Sequence, residues 1–332
     1  MNLIGDHTDY NDGVAMPMAV DLGTESSFSP APGFVLRAQS DAEPEPAELE
    51  VGSPPDPATL RGLRPQWSRY LVAVAWAARL RSGGYVDITS DLPSGAGLSS
   101  SAALEVSLAL AFGLEGTPLE ISRACQDAEQ AATGVPSGLM DQLSITTAVE
   151  GCASLIDFAD MSVLPVRMPE GADVVVVHSG QSRSLDRSAY AARRAECEAA
   201  SFHLGTLGTL QPDAFLGLPD DTLRRRARHV VTECDRVRWF AKALSDGDLV
   251  EAGRLMTASH QSLARDFEVS TPSLDALVTK LTSTPGVYGA RLTGAGFGGC
   301  VVALVEKGSV DISGYSAGAW RVHPSGPARV LD

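Results

Sequence analysis

Three observations predict an α+β fold in two lobes. Strand-like and helix-like segments follow one another without the regular βαβ alternation of a doubly wound sheet. The 332 residues exceed what one core usually organises. Hydrophobic residues make up 44% of the chain, enough to pack two cores and too many for a disordered chain. No repeat of fixed period is present, which excludes a solenoid or propeller.

Taken in order, residues 13–21 and 34–38 read as strands, and 42–57, rich in Pro and Glu, as an exposed connection. Residues 67–80 have the length and alanine content of a helix with one buried face, and 85–88 alternate as a strand does. Two consecutive helices are predicted over 98–112 and 118–132, the second with Glu120 in its first turn, and strands return at 153–158 and 173–178. In 188–204 and 222–243, Arg and Glu alternate with Ala, Leu and Val, which predicts two long helices packed on a sheet. Residues 287–292 and 300–305 read as strands joined by a Gly-rich turn, with 320–322 as a last strand.

The charge balance, 26 Lys+Arg against 41 Asp+Glu for a net −15, argues against a nucleic-acid partner, and no Lys/Arg run supplies a local basic patch. Apolar stretches fall far short of the roughly 20 residues that span a bilayer, and the N-terminus lacks the basic and apolar regions of a secretory signal. Five widely spaced cysteines without a C-x-x-C pair predict reduced, buried thiols in a cytoplasmic protein.

Three segments carry chemistry. Residues 91–103, D-L-P-S-G-A-G-L-S-S-S-A-A, read as a strand end, a Gly-rich turn and a helix start. Backbone N–H groups turned inward beside a helix N-terminus, worth about half a positive charge, suit a polyphosphate. The segment lacks the Gly-Lys-Ser/Thr of a Walker A loop and the third glycine of a dinucleotide fingerprint, and a serine-rich cap on an ordinary helix would use the same residues. A second turn, T-G-A-G-F-G-G-C at 293–300, has the glycine density of close backbone approach or of a bulged hairpin. The third, G-D-H-T-D-Y-N-D-G at 5–13, is a dense row of donors and acceptors that suits the hydroxyls of a sugar, the alternative being a solvated loop. With no second histidine near His7, a transition-metal site is not expected.

Together and in this order, these segments resemble the motifs of the galactose/homoserine/mevalonate/phosphomevalonate (GHMP) kinase superfamily. N-L-I-G-D-H-T-D-Y-N-D-G at 2–13, G-V-P-S-G-L-M-D-Q at 134–142 and A-R-L-T-G-A-G-F-G-G-C at 290–300 are similar to galactokinases in particular. W-S-R-Y at 67–70, S-A-Y-A-A-R-R-A-E-C at 188–197 and D-F-E-V-S-T-P-S-L-D at 266–275 extend the resemblance from residue 2 almost to the C-terminus.

The resemblance implies two α+β lobes with the active site in the cleft. The N-terminal lobe, 1–170, would be like the second domain of ribosomal protein S5, and the C-terminal lobe, 171–332, ferredoxin-like. It implies ATP-dependent phosphorylation of the anomeric hydroxyl of α-D-galactose by a monomer whose partners are galactose and Mg-ATP, with no nucleic acid or membrane. By motif position, Asp6, His7, Thr8 and Asp9 would hold the sugar together with Gly138, Asp141 and Tyr190. Gly95, Ala96, Gly97, Leu98, Ser99, Ser100 and Ser101 would wrap the ATP phosphates, Ser101 and Glu129 would hold Mg2+, and Asp141 would accept the proton of the reacting hydroxyl. Glu129 and Asp141 lie 12 positions apart with Gly134 and Pro136 between them, which lets two helices bring them to one site.

Two departures stand out. Asp6 occupies a position where the family usually has Glu, and the shorter arm moves the carboxylate oxygen by roughly 1.5 Å. Family members also carry Pro-Gly-Arg-Val immediately before Asn-Leu-Ile-Gly, and that arginine would lower the catalytic aspartate's pKa and stabilise charge on the transferring phosphoryl group. Met1 stands at the valine position, so the expectation is a GTG valine codon read as an initiator and a biological start upstream. An in-frame stop codon directly before it would refute this. The competing readings are a sibling kinase acting on N-acetylgalactosamine or arabinose, a non-catalytic galactose and ATP sensor, and an inactive truncated form. The intact G-L-S-S-S-A-A run at 97–103 favours an enzyme over a sensor.

Overall fold

A computed structural model describes residues 1–52, 56–93, 97–181 and 187–331. Along the chain the strands and helices are β1 (Asn2–Ile4), β2 (Val14–Pro17), β3 (Thr24–Ala31), β4 (Val35–Ser40), β5 (Glu43–Glu50), α1 (Pro57–Gly62), α2 (Ser68–Ala77), β6 (Gly83–Ser90), α3 (Ser100–Ala111), α4 (Pro118–Thr133) and α5 (Met140–Thr147). They continue as β7 (Cys152–Asp157), β8 (Ser162–Arg167), β9 (Ala172–His178), α6 (Arg187–Leu204), α7 (Asp221–Asp246), α8 (Leu249–Arg265), α9 (Pro272–Thr282), β10 (Val287–Leu292), β11 (Cys300–Glu306) and β12 (Ala319–Val322).

Two compact units interleave along this order. The first gathers residues 1–21, Gly97 and 148–326, and the second the described residues of 22–94, 98–147 and 327–332. The lobes expected from sequence, 1–170 and 171–332, are by contrast consecutive in the chain.

The first unit contains two four-stranded antiparallel sheets, in the orders β1-β2-β7-β8 and β10-β11-β9-β12. Strand β9, with four consecutive buried valines, is interior to its sheet, which explains a continuous apolar run in place of alternation. Helix α7 packs on β2 and β8, as the amphipathic pattern predicts, and buries Val230, Val237, Phe240 and Leu244 along one face. It starts where the Asp220 carboxylate accepts the Leu223 N–H at 2.9 Å and stops at Gly247 in the left-handed region, φ 75°.

The second unit holds the sheet β3-β6-β4-β5, whose β4–β6 pair is parallel. Val86 and Ile88 of β6 pack with Leu36, Leu71, Val106 and Leu108. Helix α4 opens with a capping box: the Glu120 N–H reaches Thr117 Oγ1 at 3.3 Å and the Thr117 N–H reaches the Glu120 carboxylate at 2.8 Å.

Composition predicts an exposed connection over 42–57, and part of that stretch is a strand. Residues 43–50 form β5, an edge strand with only Ala47 buried, where Pro44 and Pro46 are tolerated because an edge strand leaves alternate N–H groups unpaired. Strands β1, β3 and β8 and helices α1, α8 and α9 likewise have no counterpart among the segments that the sequence predicts. All five cysteines are buried and none is in a disulfide. Among the described residues, no helix is long and apolar enough to cross a membrane.

Candidate active site

The row of polar residues at 5–13 is a buried loop with its own internal bonding. Gly5, at φ +99°, lies so close to β2 that a Cβ there would stand 2.6 Å from Ala15 Cα, so only glycine fits. Thr8 is fully buried, and its hydroxyl lies within bonding distance of the carbonyls of Gly5 (2.8 Å) and Val14 (2.9 Å). Asn11 Nδ2 donates to the His7 carbonyl at 2.8 Å. The loop is held shut from within, and its Thr8 hydroxyl is already committed to backbone.

Asp6 is also buried. Its Oδ2 pairs with Arg291 Nη2, and its Oδ1 accepts the Gly294 N–H at 2.9 Å. Burial pushes the Asp6 carboxyl above its usual range, against the pull of Arg291. Nearby, Glu233 receives the Gly5 N–H at 3.1 Å and Arg236 Nε at 2.7 Å. Burial opposes its charge, but Arg236, His229 and Arg291 hold its carboxyl down to about 2. His229, driven down to about 4 by burial, bridges Ser262 Oγ at 2.9 Å and the Asp6 carbonyl at 3.1 Å.

His7, in the left-handed region at φ 67°, is part of an aromatic wall. Its ring centroid lies 4.5 Å from Phe267, 5.8 Å from Tyr190 and 5.9 Å from Tyr10, and its Nδ1 is 2.9 Å from the Tyr10 hydroxyl. Tyr190 of α6 meets the Tyr10 ring edge-on at 5.9 Å, and both tyrosines and Asp9 are partly exposed. A ring wall beside hydrogen-bonding groups suits a ligand with one apolar face and several hydroxyls.

The second unit carries the other group of predicted residues. Ser101, in the first turn of α3, donates to Glu129 Oε1 of α4 at 2.9 Å. Gln142 Nε2 of α5 reaches Glu129 Oε2 at 3.1 Å and Glu105 Oε2 of α3 at 2.9 Å. Three helices, α3, α4 and α5, therefore meet at Glu129 through Ser101 and Gln142. Asp141 lies in the first turn of α5, and the Ser137 carbonyl just ahead of Gly138 accepts from Gln126 at 3.0 Å and Gln130 at 3.2 Å. Burial, with the charges of Glu129 and Asp141 alongside, pushes the Glu105 carboxyl well above its ordinary range. Gly95 and Ala96 lie outside the described residues. Gly97 and Ser99 both adopt positive φ, 74° and 60°, at the entry to α3.

The donor set around Glu129 fits magnesium. Serine and carboxylate oxygens are hard ligands, and Mg2+ takes one or two protein oxygens while phosphate and water complete its shell. A zinc-type cluster is another matter: among the described residues no three His, Cys, Asp or Glu side chains gather to hold a metal. Glu105, Gln142, Arg291, Glu233 and His229 were missed in the sequence. The available signals were Glu105 one helical turn after Ser101 and a charged Arg291 inside an apolar strand.

Comparison with known proteins follows the same residues. Residues 1–30 match the galactokinase galactose-binding signature, 69–148 the GHMP kinases N terminal domain and 240–312 the GHMP kinases C terminal region. The chain is 41% identical over 330 residues to a galactokinase of Roseiflexus sp. (strain RS-1), covering 94% of this chain and 83% of that one. It is 42% identical over 322 residues to the galactokinases of Mycobacterium bovis BCG (92% and 86% covered) and Canis lupus familiaris (92% and 82%). The structure of Lactococcus lactis galactokinase complexed with galactose superposes with a TM-score of 0.89 at 29% identity, covering 99% of this chain and 92% of that one. L. major mevalonate kinase shares the fold, with a TM-score of 0.68 at 21% identity over 99% and 94% of the two chains. The fold and the family matches thus define a GHMP kinase, a class whose phosphoryl donor is ATP. Within that class, the chain belongs to the galactokinase family.

Proposed function

We propose that the chain transfers the γ-phosphoryl group of ATP to the anomeric hydroxyl of α-D-galactose, giving galactose 1-phosphate and ADP. The observation that carries this reading is the coincidence of the galactose-binding signature with the buried, internally bonded loop at 5–13 and its aromatic wall. In this reading His7, Asp9 and Tyr190 bind the sugar with Gly138 and Asp141, and the backbone from Gly97 to Ser101 takes the phosphates. Asp141 accepts the proton of the anomeric hydroxyl as the phosphoryl group arrives. A loose transfer state leaves most of the work to position and charge.

Ser101 and Glu129 would hold Mg2+, which supplies neutralisation of the phosphate charge when bound. Gln142 holds the Glu129 carboxylate from the side away from Ser101. We extend the proposal to a cytoplasmic monomer.

Galactose-dependent ADP release with Mg-ATP, beside N-acetylgalactosamine, arabinose and an Asp141→Ala control, tests the reading. Turnover with galactose that is lost in the control supports it. A clear preference for another sugar would move the chain to a sibling activity, and galactose binding without turnover would overturn the kinase reading in favour of the sensor or the inactive form.

A further inference from the structure

Asp6 stands where a sugar ligand is expected, yet its surroundings are those of an internal ion pair. Its side chain is 5% exposed, and that of its partner Arg291 is fully buried. Arg291 is committed elsewhere as well: Nε donates to Ser259 Oγ at 3.1 Å and Nη1 to the Leu3 carbonyl at 3.2 Å. The Ser259 hydroxyl donates to Glu233, and Glu233 receives the Gly5 N–H, which returns the chain of bonds to the residue beside Asp6. This closed ring ties the loop to α7, α8 and β10, and the Gly294 N–H on Asp6 Oδ1 ties it to the Gly-rich turn.

We infer that Asp6 is a positioning residue and not a sugar ligand: through Arg291 and the Gly294 N–H it clamps the 5–13 loop onto the 293–299 turn, leaving His7 and Asp9 to meet the sugar from that loop. The inference rests on the galactose reading above and revises one residue of it. Turning Asp6 toward a hydroxyl would take from a fully buried guanidinium the carboxylate bonded to it, leaving Glu233 to act on it only through Ser259, which is a costly change in a protein interior. The shorter side chain also fits this duty. A Glu at this position would carry its carboxylate roughly 1.5 Å further along, past the place where both oxygens now bond. Discrimination between sugars then owes nothing to a direct contact from Asp6.

The test separates clamping from contact. Asp6→Asn and the unaltered full chain are assayed, well below the variant's melting midpoint, with galactose and its 2-, 3-, 4- and 6-deoxy analogues. Clamping predicts a galactose KM raised about tenfold with the ATP KM held within about twofold, and a variant-to-parent ratio of kcat/KM that is the same for every sugar. A ratio that returns to one for a single deoxy sugar would couple Asp6 to the missing hydroxyl and overturn the inference. Should Asp6→Asn not fold, Asp6→Glu goes through the same panel. A uniformly raised KM supports the clamp, and a lowered galactose KM that disappears with one deoxy sugar overturns it. A parent chain that turns over none of these sugars overturns the reading of this chain as an active galactokinase. The clamp is then decided by melting, where Asp6→Asn and Glu233→Gln must destabilise less than additively, and full additivity overturns it.

Discussion

Each unit gathers a set of carboxylates, fully buried in the first and with only Glu105 buried in the second, and the two sets are balanced in opposite ways. In the first unit, Asp6 pairs with Arg291 and Glu233 with Arg236, while Ser259 and backbone N–H groups take the remaining lone pairs. In the second, Glu105, Glu129 and Asp141 lie together with Gln142 and Ser101 as hydrogen-bond donors, and among the described residues none of the three carboxylates has an ion pair. One Glu105 oxygen and the Gln142 carbonyl oxygen are buried without a bonded partner. A buried charge is stable only when paired, so the first set is complete in itself, whereas in the second burial pushes Glu105 toward its uncharged form and the half-buried Glu129 and Asp141 carry no ion pair among the described residues, which leaves negative charge that a bound cation would balance. The first cluster holds a loop, and the second presents oxygen donors that suit a hard cation.

Breaking this contrast begins with the chemistry. Asp141→Ala is expected to cut galactose-dependent ADP release by about 10⁴-fold, at the upper end for loss of a general base, while the melting midpoint stays close to that of the parent. A residual rate above about one per cent would remove Asp141 from the proton-transfer role. Next in size is a paired comparison of isosteric neutral variants. Glu233→Gln is expected to cost about 4 kcal/mol in denaturant unfolding because it leaves Arg236 and the Ser259–Arg291 bond without their acceptor charge. Glu105→Gln is expected to cost less than about 1 kcal/mol, since burial and its acidic neighbours already favour the uncharged carboxyl. Equal losses in the two variants would erase the distinction drawn here.

Acid sharpens the same comparison. His229 is neutral in the folded protein with its pKa lowered from 6.5 to about 4, so the unfolded chain takes up the proton first. Its stability contribution is therefore full above pH 6.5 and lost as pH falls toward about 4, at about 1.4 kcal/mol per pH unit and about 3 kcal/mol in total. Glu233, held at about 2 against an ordinary 4.5, adds a further loss below pH 4.5. Unfolding free energies should decline by about half of this slope between pH 7 and 6 and by most of it between pH 6 and 5, and flatten in His229→Gln. An unchanged slope in that variant would place the acid sensitivity elsewhere. The smallest effect is expected for Ser101→Ala, with about a tenfold rise in the Mg2+ concentration needed for half-maximal turnover and a matching loss of Mn2+ affinity in a direct binding titration. Unaltered metal affinity would leave Ser101 as no more than a hydrogen-bond donor to Glu129.

The sequence by itself determined the α+β class, most helix and strand positions and the residues on which the family's motifs fall. Local signals sufficed there: α4 begins at a Thr-Pro-x-Glu capping box and ends at Gly134, and β10 and β11 flank a turn of glycines. Tertiary structure alone decided which polar residues belong together. Glu43–Glu50 reads as loop by composition and is a strand because it has β4 beside it. Arg291 meets Asp6 across 285 positions and Gly5 meets Glu233 across 228, and no periodicity or spacing encodes such a pairing. The motif alone casts Asp6 as a group facing a sugar, because a carboxylate's partner is set by whatever charge the fold buries next to it. Here that partner is Arg291.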